Sequence, residues 1–408
     1  MAGETTKIRK AATPRFAQRQ EAVLAAAIAV LNGAGLKGMT LADVAARIGL
    51  TTTSVTYYFK KKDDLAAACF KLGIDRFGAM VEAAGEAPDL AGRLDALLGL
   101  WLALEARVRQ GAEPPLTIFS DIRALAEPQR GEVVEAFQLM FRKVRRLFAA
   151  PGHEGLTGLD RSIRAHLLME QVFWSIAWLP RYDIEDFPRI QARMFDILAH
   201  GLPARGAAWA PRGLEIDDRG PAESARDTFL RAATPLINAR GFRGVSVDEI
   251  AARLNVTKGS FYHHMDAKDD VIAACFGRTF AVMRAAQLAG QALKADQWTR
   301  LSSVVAALVA RQVTEEGLML RTSALQALPE ELRNQTVWRA DRVSQRFASM
   351  IADGAAEGSI RPVDPFIAAQ TVSAAINAAA DLIRWEGVQP DAAVEHYARP
   401  ALTGLLAP

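Results

Sequence analysis

Two cysteines in 408 residues, Cys69 and Cys275, are too few for a disulfide framework or a multi-cysteine metal centre. A chain without such a framework fits a reducing compartment, and a cytoplasmic setting is expected. The opening stretch MAGETTKIRKAATPRFAQRQ is basic and polar and lacks the apolar core of a secretory signal. Long hydrophobic runs are missing too. The most apolar one, Leu167–Leu179, is shorter than the ~20 residues a spanning helix needs and contains Glu170, so no membrane role is expected. Sustained apolar/polar alternation, the signature of strands, is absent. So are a glycine-rich phosphate loop, an HExxH pair and a nucleophile elbow, and the chain is read as no enzyme. His263 and His264 are adjacent and would face different directions on a helix, and the remaining four histidines are scattered. No metal and no cofactor are expected.

What is present is a repeat. Residues 53–70 read TSVTYYFKKKDDLAAACF, and residues 259–276 read GSFYHHMDAKDDVIAACF. The offset of 206 holds without a gap from Gly35/Gly241 to Phe70/Phe276, and fourteen of these thirty-six pairs are identical. Chance does not give that density, so one ancestral unit has been duplicated and fused. The match fades after Phe276. Between the halves, Pro203, Pro211 and Pro221 alternate with Gly206, Gly213 and Gly220, which reads as a linker. Helical periodicity dominates elsewhere, as in Leu90–Arg109, Glu132–Phe148, Arg161–Leu179 and Pro365–Trp385. The expected fold class is all-α.

Each copy starts a short helix with a hydroxyl and an acid three residues on: Thr40 with Asp43, and Ser246 with Glu249. Both pairs fit a capping box. Gly49 and Asn255 are suited to the left-handed conformation that ends this helix. Thr51 and Thr257 then cap a second short helix, anchored by Val55 and Phe59 in one copy and Phe261 and Met265 in the other. Its opposite face carries Thr52, Thr53, Thr56 and Tyr57 in the first copy, and Lys258, Gly259, Tyr262 and His263 in the second. Helix, tight turn, helix with exposed hydroxyls, rings and a cation make a helix-turn-helix. Such a second helix enters the major groove while flanking donors hold phosphates.

Both copies resemble the N-terminal DNA-binding domain of TetR-type transcriptional regulators. The second carries Ile250-Ala-Ala, Val256-Thr-Lys-Gly-Ser-Phe-Tyr262-His-His and Lys268; the first carries Val44-Ala-Ala, Leu50-Thr, Tyr58-Phe59, Lys62 and Leu65. Thr56 stands where the family usually has tyrosine, Thr53 where it often has glycine, and Met265 where it has phenylalanine. The resemblance, over about fifty residues per copy, implies DNA contacts from Thr40, Thr51, Thr52, Thr53, Thr56, Tyr57, Tyr58 and Lys62. In the second copy it implies them from Ser246, Thr257, Lys258, Gly259, Ser260, Tyr262, His263, His264 and Lys268. It also implies repression as the commoner output.

Charge agrees. Ten cations oppose three carboxylates in residues 1–62, and seven oppose five in 222–268, so the remainder of a chain with net charge +3 is acidic. The arm Lys7–Arg19 reads either as a minor-groove reach or as a solvated tail.

The expected organisation is an arm and first reader over 1–65, a first helical regulatory domain over 66–202, a linker over 203–222, a second reader over 223–271 and a second regulatory domain over 272–408. TetR-like regulators act as homodimers, so one chain with two readers is expected to be a monomeric pseudo-dimer on a double-stranded operator with two unlike half-sites. A homodimer of tandem chains is the competing architecture. Arg161–Leu179 with Phe187–Leu202, and Pro365–Trp385 with Asp391–Leu406, would then form the bundle between halves. There the large side chains of LLMEQVFWSIAWL would meet the small ones of AAQTVSAAINAAADL.

Trp101, Phe119, Phe141, Phe173 and Trp174, with Trp298, Met319 and Trp338 in the second half, are candidates to line a pocket for an apolar or aromatic inducer. Ordinary core packing is the plainer account of any one of them. Cys69 and Cys275 fall at the same repeat position, as a thiol switch or as an inherited small buried residue. The rival function is a helical interaction protein whose readers no longer bind DNA.

Overall fold

The computed structural model describes residues 14–216, 225–241, 244–259, 268–314, 317–328, 330–385 and 388–407. Among them the only extended pairing is a single isolated bridge between Pro203 and Ile360, and everything else ordered is helical.

The first half runs α1 (Pro14–Gly38), α2 (Leu41–Arg47), α3 (Thr52–Tyr58), α4 (Lys62–Gly85), α5 (Leu90–Arg109), α6 (Gln129–Leu147), α7 (Gly158–Trp178) and α8 (Phe187–His200). The second runs α9 (Ala225–Arg240), α10 (Val247–Arg253), α11 (Lys268–Ala292), α12 (Gln297–Gln312), α13 (Glu330–Glu357), α14 (Pro365–Ala378), α15 (Pro390–Ala393) and α16 (Arg399–Thr403). Six-residue 3-10 turns stand before α6 and α13, at Phe119–Ala124 and Thr322–Ala327. These turns are 203 positions apart, so the duplication continues past Phe276 with a three-residue shift.

The bundle between the halves has the expected members. α7 and α8 pack on α14, and α7 also meets α16. Of α14, every residue from Ile367 to Ile376 is buried. Across the bundle Trp174 Nε1 donates to Gln370 Oε1 at 3.0 Å, and Gln171 Nε2 to the Thr371 carbonyl at 2.9 Å. The last expected helix is continuous but widened in the middle. Over 391–406 the chain forms α15, a π turn at Val394–Ala398, and α16. Pro400 has no N–H to give to the carbonyl four residues back, and its ring crowds that carbonyl, so the preceding turn widens.

Three helices are long and apolar enough, by length and composition alone, to cross a membrane: Arg15–Gly38, Asp270–Ala292 and Pro365–Ile383. Here each packs within the helical body, the last most completely.

The Pro- and Gly-punctuated stretch between the halves is a strap from 203 to 216, laid along the second half. The Ala204 N–H donates to the Ser359 carbonyl at 3.1 Å. Trp298 Nε1 donates to the Ala208 carbonyl at 2.8 Å, and the Arg212 N–H to Ser303 Oγ at 2.8 Å. Trp209 lies 6.2 Å from Trp298, ring to ring.

A continuous apolar core joins the first reader, both regulatory domains and the bundle. Among the described residues the second reader has its own core cluster, built on Phe229, Ile237, Ile250, Ile272 and Phe276 and closed by Leu320, Ala324 and Leu328, with Phe280 packed against both clusters.

Candidate nucleic-acid interface

In the first reader the Thr40 hydroxyl accepts the Asp43 N–H at 3.1 Å and donates to Asp43 Oδ2 at 2.6 Å. In the second reader Glu249 also reaches back to the Ser246 N–H at 2.8 Å and completes the box. That N–H and the Ser246 hydroxyl hold the Glu249 carboxyl below the usual carboxylate range. Gly49 and Asn255 have φ of 65° and 54°, the left-handed turn residues the spacing required.

Thr51 caps α3, accepting the Ser54 N–H at 3.3 Å. Val55 and Phe59 are buried beneath, as expected. Thr52 and Thr53 are exposed, Thr56 is half-buried, and the Thr56 hydroxyl donates to the Thr53 carbonyl at 2.9 Å. Tyr57 projects outward with 68% of its surface exposed. It is held edge-on to Tyr58 at 5.2 Å, and Tyr58 in turn rests on Phe16 at 4.8 Å. Phe16 thus ties the start of α1 to the end of α3, a contact the sequence reading did not include. Arg47, Lys60 and Lys61 are exposed around this face, and Lys62 is half-buried at the start of α4. The arrangement offers hydroxyls and one ring to base edges, and cations to phosphates on either side.

In the second reader Ser246, Thr257, Lys258 and Gly259 are described; Thr257, Lys258 and Gly259 are exposed where the next helix begins. Lys258 Nζ lies 3.0 Å from Asp248, and Arg240 pairs with Glu249. The matching positions of the first reader hold Thr52 with Ala42 and Ala34 with Asp43, so neither ion pair has a counterpart there. Ser260, Tyr262, His263 and His264 lie outside the described residues, as does the side chain of Lys268.

The inducer candidates fall in different places. Phe173 is the hub of one ring cluster, with Phe77, Phe119 and Trp101 at 4.9, 5.4 and 5.8 Å. Trp101 is fully buried and donates to Ser175 Oγ at 2.8 Å. Phe141 reaches across to Trp385 at 6.4 Å, and Trp174 belongs to the bundle. Trp298 anchors the strap. Met319 is buried, and its carbonyl accepts Asn238 Nδ2 at 2.9 Å. Trp338 is 60% exposed, with the Arg342 guanidinium 4.9 Å from its ring. A cleft of about 570 Å³ opens instead on the outer face of α4 and α6, lined by Ile74, Leu139, Met140, Arg142 and Arg146 among others.

Both cysteines are buried and point at the first helix of their reader. Cys69 Sγ approaches the Leu24 carbonyl at 3.9 Å and Cys275 Sγ the Leu230 carbonyl at 3.7 Å. Burial pushes each thiol up to about 12. A small buried residue copied by duplication accounts for both.

Sequence reasoning also missed a pair of asparagines. Asn32 Nδ2 donates to the Leu116 carbonyl at 2.8 Å, and Asn32 Oδ1 accepts the Ile118 N–H at 3.0 Å. Asn238, 206 positions on, makes the same two bonds with the Met319 carbonyl and the Arg321 N–H. Each fastens the reader's first helix to the segment leading into its half's 3-10 turn.

Comparison with known proteins agrees with this geometry. The family described as "Bacterial regulatory proteins, tetR family" matches residues 23–69 and again 229–275, and a tetracyclin repressor-like C-terminal domain matches 294–405. The chain is a tandem member of the tetR family. The Transposon Tn10 TetC protein of Escherichia coli is 30% identical over 82 residues, which is 20% of this chain and 41% of that protein. The chain therefore spans about two fifths of the length of the curated relative it matches. Solved structures similar to it include AibR in complex with isovaleryl coenzyme A and operator DNA, 21% identical, covering 44% of this chain and all of that one at a TM-score of 0.38. Another is the TetR family regulator PfmR from Thermus thermophilus, 22% identical, covering 43% and 98% at a TM-score of 0.35. As a tetR-family regulator the chain carries DNA-binding domains and a ligand-binding domain.

Proposed function

We propose that one chain acts as a ligand-responsive, sequence-specific repressor in the cytoplasm, reading an imperfect palindrome through two unlike recognition helices. The observation that supports this most is the bundle of α7, α8, α14 and α16, which joins the two halves inside one chain. A tetR-like dimer puts the same kind of bundle between two chains. Here the partner is already attached, so the monomer carries both readers. An apolar or aromatic small molecule would act by favouring a spacing of the readers that misfits the operator, a shift of populations.

The test is selection of bound sequences from random DNA, with the mass of the complex measured in solution. Two unlike half-sites about one helical turn apart, bound by one chain, support the reading. A symmetric pair of longer sites bound by two chains replaces it with the dimer of tandems. No enrichment at low salt moves the function to an interaction protein.

A further inference from the structure

The two readers are not held in the same way. Among the described residues the core of the first runs on into the main core, whereas that of the second is its own cluster, met by the main core at Phe280. At the seam of that cluster lies a closed polar loop. Arg123, from the 3-10 turn of the first half, donates to the Asn238 carbonyl near the C-terminus of α9 at 3.1 Å and to Asp381 Oδ1 at 3.2 Å. A cation there also suits the negative end of the helix. Arg321, whose N–H is held by Asn238 Oδ1 at 3.0 Å, pairs its guanidinium with Asp381 and lies 3.6 Å from Glu170 of α7. Asn238, Arg321, Asp381 and Arg123 therefore form a ring of contacts drawn from α9, the residue that caps the Thr322–Ala327 turn, the 3-10 turn Ala379–Arg384 that follows α14, and the Phe119–Ala124 turn.

In the first reader Asp121 of that half's own 3-10 turn accepts the Leu36 N–H at 2.8 Å, and α1 also lies against the 3-10 turn of the second half, but among the described residues no ring of ion pairs closes there. Ile118 occupies the position equivalent to Arg321, so Asn32 meets a backbone whose side chain carries no charge. His166 and Glu170 bring donor atoms within 4.8 Å of Asp381, but the Arg321 guanidinium already answers both carboxylates and leaves no need for a metal ion.

We propose that Asp381 is a positioning residue for the second reader: by holding Arg123 and Arg321 it fixes the end of α9 against the bundle, so that an ion-paired ring drawn from both halves sets the tilt of that reader. A ligand or contact that disturbs the bundle near Asp381 would reach the second half-site first. The proposal rests on the two-reader function for its consequence, but not for its test.

Full-length Arg123→Gln and Asp381→Asn chains would be compared with the parent by amide hydrogen exchange without DNA. Arg123→Gln is the gentler change, since Asp381 keeps Arg321. Amides of α9 are expected to exchange about tenfold faster relative to those of α1, which stay as they were. Unchanged α9, or α1 accelerating equally, overturns the proposal. With DNA, selection should show the second half-site losing sequence preference while the first keeps it; equal loss at both also overturns it. If the parent chain selects no DNA, the function falls, and the exchange result still decides the positioning role.

Discussion

Gly201 and Gly404 occupy each other's space. A Cβ on Gly201 would lie 2.4 Å from the Leu402 carbonyl oxygen, and one on Gly404 would lie 2.4 Å from that of Ala199. The two are 203 positions apart, the spacing that relates the 3-10 turns, so the contact is reciprocal about the pseudo-twofold of the duplication. Around them the Leu202 N–H donates to the Leu402 carbonyl at 2.8 Å and the Leu405 N–H to that of Leu198 at 2.7 Å.

Both glycines also have positive φ, 70° and 100°. Gly404→Ala is therefore expected to lower unfolding stability by roughly 2–3 kcal/mol in a denaturant titration, from overpacking and backbone strain together. Gly213→Ala is the control, because nothing lies within 4 Å of its added Cβ. Equal effects at the two positions would mean that the halves do not cross so closely.

Tyr57→Ala should change sequence preference in one half-site, by about 1–3 kcal/mol, because its ring is the large exposed group on α3. Lys62→Ala should weaken binding alike on all sequences and reduce the salt slope by about 1. Titrations on operators with each half-site scrambled in turn separate the two; a Tyr57 effect shared by both half-sites contradicts unlike readers.

Asp381 carries a pH signature. Burial alone would raise its carboxyl, but Arg321, His166 and Arg123 around it hold it down to about 2. Its folded value is below the ~3.9 of an unfolded aspartate. The carboxylate therefore stabilises the fold above that unfolded value, and the contribution is lost as pH falls toward about 2. Asp381→Asn should flatten the stability curve over this window and cost roughly 3 kcal/mol at neutral pH, since Arg321 is left short of a partner. Parallel curves for parent and variant would rule this out.

The thiols should be inert. Iodoacetamide at pH 8 is expected to leave Cys69 and Cys275 unmodified in the native chain and to alkylate both after denaturation, read by mass spectrometry. Native labelling at either would reopen a redox role.

The helical class and the two readers were legible because caps, turn residues and repeat spacing are local. Thr40, Thr51 and Ser246 cap where their sequence neighbours require it. The asparagine pair escaped for a simple reason: Asn32 and Asn238 lie three residues before the ungapped block, and their partners near 117 and 320 follow the shifted register. The ring around Asp381 could not be read at all, since its members are far apart in the chain and only Asn238 has a counterpart in the first half. Of the aromatic candidates Trp101, Phe119 and Phe173 gather in one cluster while the others lie elsewhere, because aromatic content alone does not separate a hub such as Phe173 from an outward ring such as Trp338.

On the one-chain reading proposed above, the strap from 203 to 216 would change how the regulator responds to dilution. With the second half covalently fixed and laid against the first, the partner is present at an effective concentration that does not depend on how many copies a cell holds. Occupancy of a site by an ordinary two-chain reader falls with the square of the protein level once the dimer dissociates. For a one-chain reader it falls only with the first power. On the same reading the strap would insulate the two readers from exchange with related chains, leaving each half free to diverge against a partner that never changes.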